Sequence, residues 1–477
     1  MGANFKSFVE NLWGKHPDTN RIRFFLFLMY CVDSMVMNLL PVFMNQARVD
    51  LGWTPTMTSL ALGILPFAAI AGTILLALVS GSSKRNVLVL RVCMFAMFAC
   101  IMVLTMCGLF MGSGYADGRV TDSGLYYGKY VIFLIFCSLI QGLQWGMQPC
   151  SQSIIADINN REGTTFGSTY AVGSFVYIIC SPLSGLISQS LGAGYIGYLY
   201  MFAIVSPFAI FSALFTFPLG VRIDRFYTIQ YTEKESSSAS EAAPASRGGL
   251  GEFLKIFRCR PFLYYLCFAS LSSAMVFTFD STASNMWTGL APTAADAVNV
   301  FTPLNWGILT AVGCATEFIV LTIISHLSKG KGEKWVMAVS AFSLTVRGVV
   351  MAALAFFFYA PGSAPSWVAW TMIGLNVFRG LTWGSFMTVN VPITDKLLGP
   401  ELRQKGVFII PVIYQLVNGI VQFIYPQITG IAQGQYRFTI FIFIAVVGLI
   451  AALGFIFMRE RVRKPYPSAS SKPSDYV

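Results

Sequence analysis

The sequence predicts an all-α membrane protein, with twelve transmembrane helices in two six-helix, pseudo-symmetric bundles and both termini cytoplasmic. Three observations point to this fold. Of the 477 residues, 55% are hydrophobic and only 11% are charged, about half the charge of a soluble domain. Apolar runs of about 20 residues, the length that crosses a bilayer, recur along the whole chain. The basic residues collect on one side of those runs, as membrane orientation requires. A chain this apolar must pair its backbone groups within helices, because lipid offers them no hydrogen-bond partner.

The runs are 22–45, 58–80, 87–110, 128–150, 167–189, 197–220, 261–284, 303–327, 335–359, 367–391, 407–429 and 436–458. With the termini inside, only Arg48, Arg119, Lys129 and Arg437 lie in outer segments. Arg91, Arg347 and Arg379 fall within runs, and the rest of the 32 basic residues are cytoplasmic. The net charge of +11 therefore reads as membrane topology and not as a nucleic-acid surface. This divides the chain into a cytoplasmic tail at 1–21, an N-terminal bundle at 22–220, a cytoplasmic linker at 221–260, a C-terminal bundle at 261–458 and a tail at 459–477. The middle of the linker, Glu233 to Gly251, is rich in Ser, Ala, Glu and Gly and reads as flexible. The ten cysteines lie mostly in apolar runs without a Cys-x-x-Cys pair. They read as small buried residues, not as a disulfide or metal framework. His16 and His326 lack metal-ligand neighbours, and no phosphate-binding Gly-Lys loop is present. No enzyme activity, cofactor or metal is expected.

The two halves repeat. Gly142-Leu143-Gln144-Trp145-Gly146 in the fourth run returns as Gly380-Leu381-Thr382-Trp383-Gly384 in the tenth, 238 residues later. Ile155-Ala156-Asp157 returns as Ile393-Thr394-Asp395 at the same offset. Gly63-Ile64-Leu65 in the second run matches Gly307-Ile308-Leu309 in the eighth. Parallel repeats with a site at their interface are an established transporter plan.

A charge at the centre of a bilayer costs at least ~2.5–3.5 kcal/mol, so each one needs a partner or a task. Asp33, Asp280, Glu317, Arg347 and Arg379 stand out. Glu317 precedes the turn at Lys329–Lys334 and Arg347 follows it, each by a dozen or so residues, so both lie roughly 18–20 Å from the inner surface. The eighth and ninth runs form a hairpin, which makes Glu317 and Arg347 an expected pair that a proton can break. A purely structural pair is the other reading. Asp33 lies near mid-depth, and Arg379 is twelve residues into its run. Asp280, some nineteen residues into the seventh run, reads as a solvated group near the outer face.

The chain is similar in layout to the major facilitator superfamily, although that superfamily's signature between the second and third helices is reduced here to Ser80-Gly81-Ser82-Ser83-Lys84-Arg85. Thr316-Glu317-Phe318, Lys334-Trp335-Val336-Met337 and Arg347-Gly348 resemble the eighth and ninth helices of nucleoside:proton and oligosaccharide:proton symporters. Gly380–Gly384 with Pro400–Gly406, and Ala156-Asp157 with Phe166–Ser174, resemble the same families. The resemblance implies a proton-coupled carrier in which Glu317 and Arg347 take the families' helix 8 and helix 9 positions. Two positions depart from the families. Tyr170 stands where they have a substrate-contacting Arg, and Gly384 stands where the nucleoside symporters have an Asp.

The expectations are therefore these. Glu317, Arg347 and Asp33 serve proton coupling. Arg379, Tyr170, Trp383, Trp145, Gln144, Gln148, Gln415 and Asn418 bind the solute. Gln144 and Gln148 share a face of the fourth helix, as Gln415 and Asn418 do of the eleventh, and helix–helix adhesion is the alternative role for all four. For the tryptophans, plain packing is the alternative. The chain is expected to be a monomeric, multi-pass protein of a cell membrane (plasma or inner). Its expected partners are a small polar solute, protons and lipid, with no nucleic acid. A nucleoside or related solute is favoured. A sugar or organic-anion carrier, and a solute sensor without flux, are the alternatives.

Overall fold

The computed structural model describes residues 16–80, 83–164, 166–192, 194–237, 255–292, 299–327, 332–358, 363–398, 400–429 and 438–458. Twelve long helices dominate them. In the first half these are α1 (Pro17–Leu51), α2 (Pro55–Val79), α3 (Ser83–Phe110), α4 (Ser123–Glu162), α5 (Phe166–Leu191) and α6 (Tyr195–Ser237). The second half has α7 (Arg260–Gly289), α8 (Pro303–Leu327), α9 (Glu333–Phe358), α10 (Ser366–Leu398), α11 (Pro400–Thr429) and α12 (Phe438–Phe457). Eleven of them are long and apolar enough to cross a membrane. The exception is α10, which buries Asn376, Thr382, Ser385, Thr388 and Asn390. Its polar residues are turned into the protein, as a helix lining a cavity requires. Leu75, Leu78, Phe110, Phe357 and Phe457 face outward instead, as suits a protein whose solvent is lipid.

α1 is not continuous. Its halves, Pro17–Val32 and Leu40–Leu51, are joined by a π-helical turn at Asp33–Met37. Pro41 explains the break, since it has no N–H to donate and its ring crowds the carbonyl of Met37 one turn earlier. The turn begins at the one acidic residue in the interior of α1, and such turns cluster at functional sites.

The repeated glycines have the same packing task in both halves. A Cβ on Gly142 would come within 2.9 Å of the Ala68 carbonyl oxygen, and one on Gly146 within 2.8 Å of the Gly72 carbonyl oxygen, both on α2. In the second half Gly380 lies against the Gly313 carbonyl, and a Cβ on Gly384 would meet the Glu317 Cα at 3.1 Å, both on α8. Glycine at these positions lets α4 approach α2, and α10 approach α8, as closely as backbones allow. The tryptophan inside each motif is thereby held at the boundary between bundles.

The bundles make close backbone contacts at the end away from the N-terminus. There α5 and α8 interlock: a Cβ on Gly185 would overlap the Pro303 carbonyl, and one on Gly307 the Ser181 carbonyl. α2 packs on α11 where Gly63 meets Phe423 and Gly419 meets Phe67, and α7 packs on the second half of α1.

The segment 221–237, read as linker, continues α6 as helix. Its Tyr, Thr, Gln, Glu and Lys residues favour or tolerate helix well enough to extend a turn already nucleated in the membrane. Residues 238–254 of the expected linker lie outside the described residues, as do 1–15 and 459–477.

Candidate functional site

A cavity of about 230 Å³ lies between the two bundles. Its walls come from both repeats: α1, α2, α4 and α5 on one side, and α7 to α11 on the other. All the residues singled out from the sequence line it: Asp33, Gln144, Trp145, Gln148, Tyr170, Glu317, Arg347, Arg379, Trp383, Gln415 and Asn418. Arg379 and Tyr170 thus face a common space, one from each repeat.

The charges in it are connected, but not as the hairpin geometry predicts. Glu317 and Arg347 do not pair. Asp280 is the hub: its Oδ1 accepts from Arg347 Nη2 at 2.9 Å and its Oδ2 from Arg379 Nε at 2.9 Å. Arg347 Nη2 also donates to Asn376 Oδ1 at 2.6 Å, and its guanidinium stacks 3.9 Å from the Phe279 ring centre. Glu317 Oε2 lies 3.9 Å from Arg379 Nη1, and its Oε1 accepts from the Ser174 hydroxyl at 2.9 Å. The cause of the difference is helix order. α10 packs against both α8 and α9, and its Asn376 spans them, donating to the Leu309 carbonyl on α8 while accepting from Arg347 on α9. Helices that are consecutive in sequence are therefore not the ones that exchange charge here.

Asp280 itself corrects the reading of a solvated group near the outer face. α7 extends to Gly289, so Asp280 stands nine residues, roughly 13 Å, from the far end of the helix. The 27% of its side chain that remains accessible opens into the cavity. Asp33 is 5% exposed and has Tyr177 and Arg379 among its polar neighbours. Among the described residues, no lysine or arginine forms an ion pair with it.

Uncharged groups complete the wall. Gln415 and Asn418 join a ladder across α7 and α11. Asn418 Nδ2 donates to Gln415 Oε1 at 3.3 Å, and its Oδ1 accepts from Thr278 at 2.9 Å and from Gln422 at 2.8 Å. Trp145 and Trp383, equivalent in the two repeats, both meet the Phe277 ring edge to face at 5.0 Å, and Tyr414 stacks on Phe277 at 5.5 Å. This cluster sits one turn nearer the terminal end of the bundle than Asp280 and Arg379. Tyr170 packs edge to face on Tyr30 at 5.9 Å. Several buried donors on the wall find no protein acceptor: Asn38 Nδ2, Gln144 Nε2, Trp306 Nε1 and the Nε and Nη1 of Arg347. Sequence reasoning misses Asn376, Tyr177, Phe277 and Tyr414. Only Asn376 carries a usable signal, since a buried amide one turn from a membrane arginine needs a partner.

Twelve helices in two repeats around a polar, charged central cavity define a multi-pass membrane protein with a transporter fold. The sequence matches the Major Facilitator Superfamily over residues 24–421, and the chain belongs to that superfamily. Among solved structures it is similar to the nucleoside transporter NupG, at 13% identity over 93% of this chain and 99% of that one, with a TM-score of 0.62. It is also similar to the partially occluded, inward-open xylose transporter XylE from E. coli, at 13% identity over 93% and 100%, with a TM-score of 0.65. A D-xylose-proton symporter aligns at 14% identity over 93% and 97%, with a TM-score of 0.61. No curated protein matches the sequence.

Proposed function

We propose that this protein is a secondary active transporter, not an enzyme, that moves a small polar solute by alternating access in symport with protons. The observation that carries the reading is the ion-pair network at the boundary of the two repeats. Glu317 belongs to the second repeat, yet it bonds Ser174 of the first and neighbours Arg379 of its own. A proton on Glu317 would weaken its attraction to Arg379 and alter its bond to Ser174 together, linking protonation to the fit between bundles. Arg347 and Arg379 hold Asp280, and Asp33 is a third carboxylate within the same cavity.

The solute reading is a nucleoside or related polar compound. The aromatic faces of Trp145, Trp383 and Tyr170 suit a flat ring, and the unpartnered amide, indole and guanidinium donors suit its carbonyl and hydroxyl oxygens. Gln144, Gln148, Gln415 and Asn418 would complete the recognition. The resemblance to NupG agrees with this choice. A sugar is the second reading, favoured by the amide ladder on α11 and by the likeness to xylose symporters. The basic residues favour cytoplasmic termini and the division into two bundles joined through 221–260. The protein would work as a monomer.

Uptake of radiolabelled uridine, adenosine, xylose and glucose into proteoliposomes, with and without an inward acid gradient, tests the proposal. Gradient-dependent accumulation of one of them is expected. Transport indifferent to the gradient would remove the proton coupling, and no flux of any of them would remove the solute class.

A further inference from the structure

Among the described residues, five side chains of formal charge line the cavity: Asp33, Asp280, Glu317, Arg347 and Arg379. Their pairing is unequal. Both guanidiniums are committed to Asp280 at 2.9 Å, and Glu317 is left with one longer contact of 3.9 Å to Arg379. Asp33 forms no ion pair among the described residues, and Arg379 acts on it only from beyond ion-pair distance. With every group ionised, three carboxylates face two guanidiniums, and the surplus charge is negative. A cavity of this depth cannot hold a bare charge cheaply. Asp280 and Glu317 together balance the two arginines, so an anionic solute meets no net positive charge there, although Arg347 Nε and Nη1 have no protein acceptor.

We propose that this cavity is built to hold one positive charge besides its own arginines. It takes a solute bearing a protonated amine, or a neutral solute together with a proton, and it excludes anionic solutes. The inference rests on the transport reading above and narrows its solute class. Asp33 is the group that sets the sign. It opens the π-helical turn of α1, belongs to the first repeat, and makes no ion pair with the Asp280 network of the second, although Arg379 of that network attracts it. Electroneutrality then makes the two kinds of cargo alternatives. An ammonium group on the solute supplies the charge that a proton supplies for a neutral solute. A carboxylate on the solute would raise the deficit to two.

The sign of the cavity can be read without knowing the solute. A single cysteine on the wall, Gln141→Cys on α4 in one protein and Ser281→Cys on α7 in another, both in a Cys314→Ser background, is labelled with small thiosulfonates. One reagent carries a quaternary ammonium and the other a sulfonate. Rates are followed by peptide mass spectrometry and divided by those of a free thiol in solution. The expected ratio favours the cation by about tenfold or more, the effect of one charge felt across several ångström at intermediate dielectric. It should fall towards unity when Asp33→Asn is added. A ratio at or below one at both positions, or a ratio untouched by Asp33→Asn, overturns the proposal. A second arm displaces bound solute, followed by tryptophan fluorescence, with glucosamine against glucuronate and with 5′-amino-5′-deoxyuridine against uridine 5′-carboxylate. The amine is expected to win within each pair, and an equal or stronger carboxylate contradicts the proposal. If the labelling favours the cation while proteoliposomes show no flux, the transport reading fails and the charge assignment stands. If flux is found and the labelling favours the sulfonate, the transport reading stands and the charge assignment fails.

Discussion

Replacing Asp280 by asparagine keeps the shape of the side chain and removes the charge that holds two arginines together. Asparagine keeps one acceptor oxygen, so one of Arg347 Nη2 and Arg379 Nε loses its 2.9 Å bond and the other loses the charge of its acceptor; such charge-assisted bonds contribute about 1.5–3 kcal/mol apiece. Stranding a buried partner costs about 3–5 kcal/mol. Both figures need discounting here, because 27% of the Asp280 side chain is accessible from the cavity and because Arg347 keeps Asn376 and the Phe279 ring. The expected loss of stability is therefore about 2–4 kcal/mol. Thermal unfolding of the purified protein in detergent measures it as a lowered midpoint. A double-mutant cycle with Arg347→Gln isolates the pair, and residues in one ionic network couple by about 0.5–3 kcal/mol. Asp280→Asn with Arg347→Gln should thus be more stable than the sum of the single losses predicts. Additive losses, or an Asp280→Asn protein that melts with the wild type, would refute the role of Asp280 as hub.

Further expectations follow from the same geometry. Glu317→Gln should abolish accumulation against a gradient while leaving solute exchange, and wild-type accumulation ratios in that variant would exclude Glu317 as the coupling group. Gly185→Leu should force α5 from α8 at the end remote from the N-terminus. Cross-linking between cysteines placed there should then fall at least several-fold, and unchanged cross-linking would show that the contact is slack. Gly380→Leu should destabilise by about 1–3 kcal/mol, the usual cost of overpacking, and Gly142→Leu by a similar amount, because both seat a helix on its repeat-equivalent neighbour. Denaturant titration of the two variants checks this, and a large asymmetry would argue against equivalent packing in the two halves.

Much of the architecture is legible in the chain because lipid imposes a simple rule. Apolar runs mark the helices, and the repeated Gly-Leu-x-Trp-Gly motif marks the packing of α4 on α2 and of α10 on α8. The run holding Arg379 is visible from its length, although its polar interior keeps it short of the apolarity of the other eleven helices. The composition of the cavity wall is legible too, since residues too polar for lipid must point inward. The pairings are not. Depth along a helix can be counted from sequence, but the neighbours around its axis cannot. Depth and the hairpin connection assign Glu317 and Arg347 to each other, and α10 intervenes. Asp280 is misplaced by sequence because hydropathy alone ends its helix at 284, whereas the polar residues Asn285 and Thr288 continue it to Gly289. The π-helical turn at Asp33 has its signal in Pro41, whose effect falls on the preceding turn and not on its own position.

The central claim, that one proton crosses with a neutral solute through the Asp33 and Glu317 cavity, is tested most directly by solute-driven proton movement. Proteoliposomes loaded with a pH-sensitive dye, at equal pH inside and out, are given the transported neutral solute. The account predicts that the interior acidifies as the solute enters, and that Glu317→Gln vesicles exchange solute without acidifying. Solute influx into wild-type vesicles with no change of internal pH would contradict it.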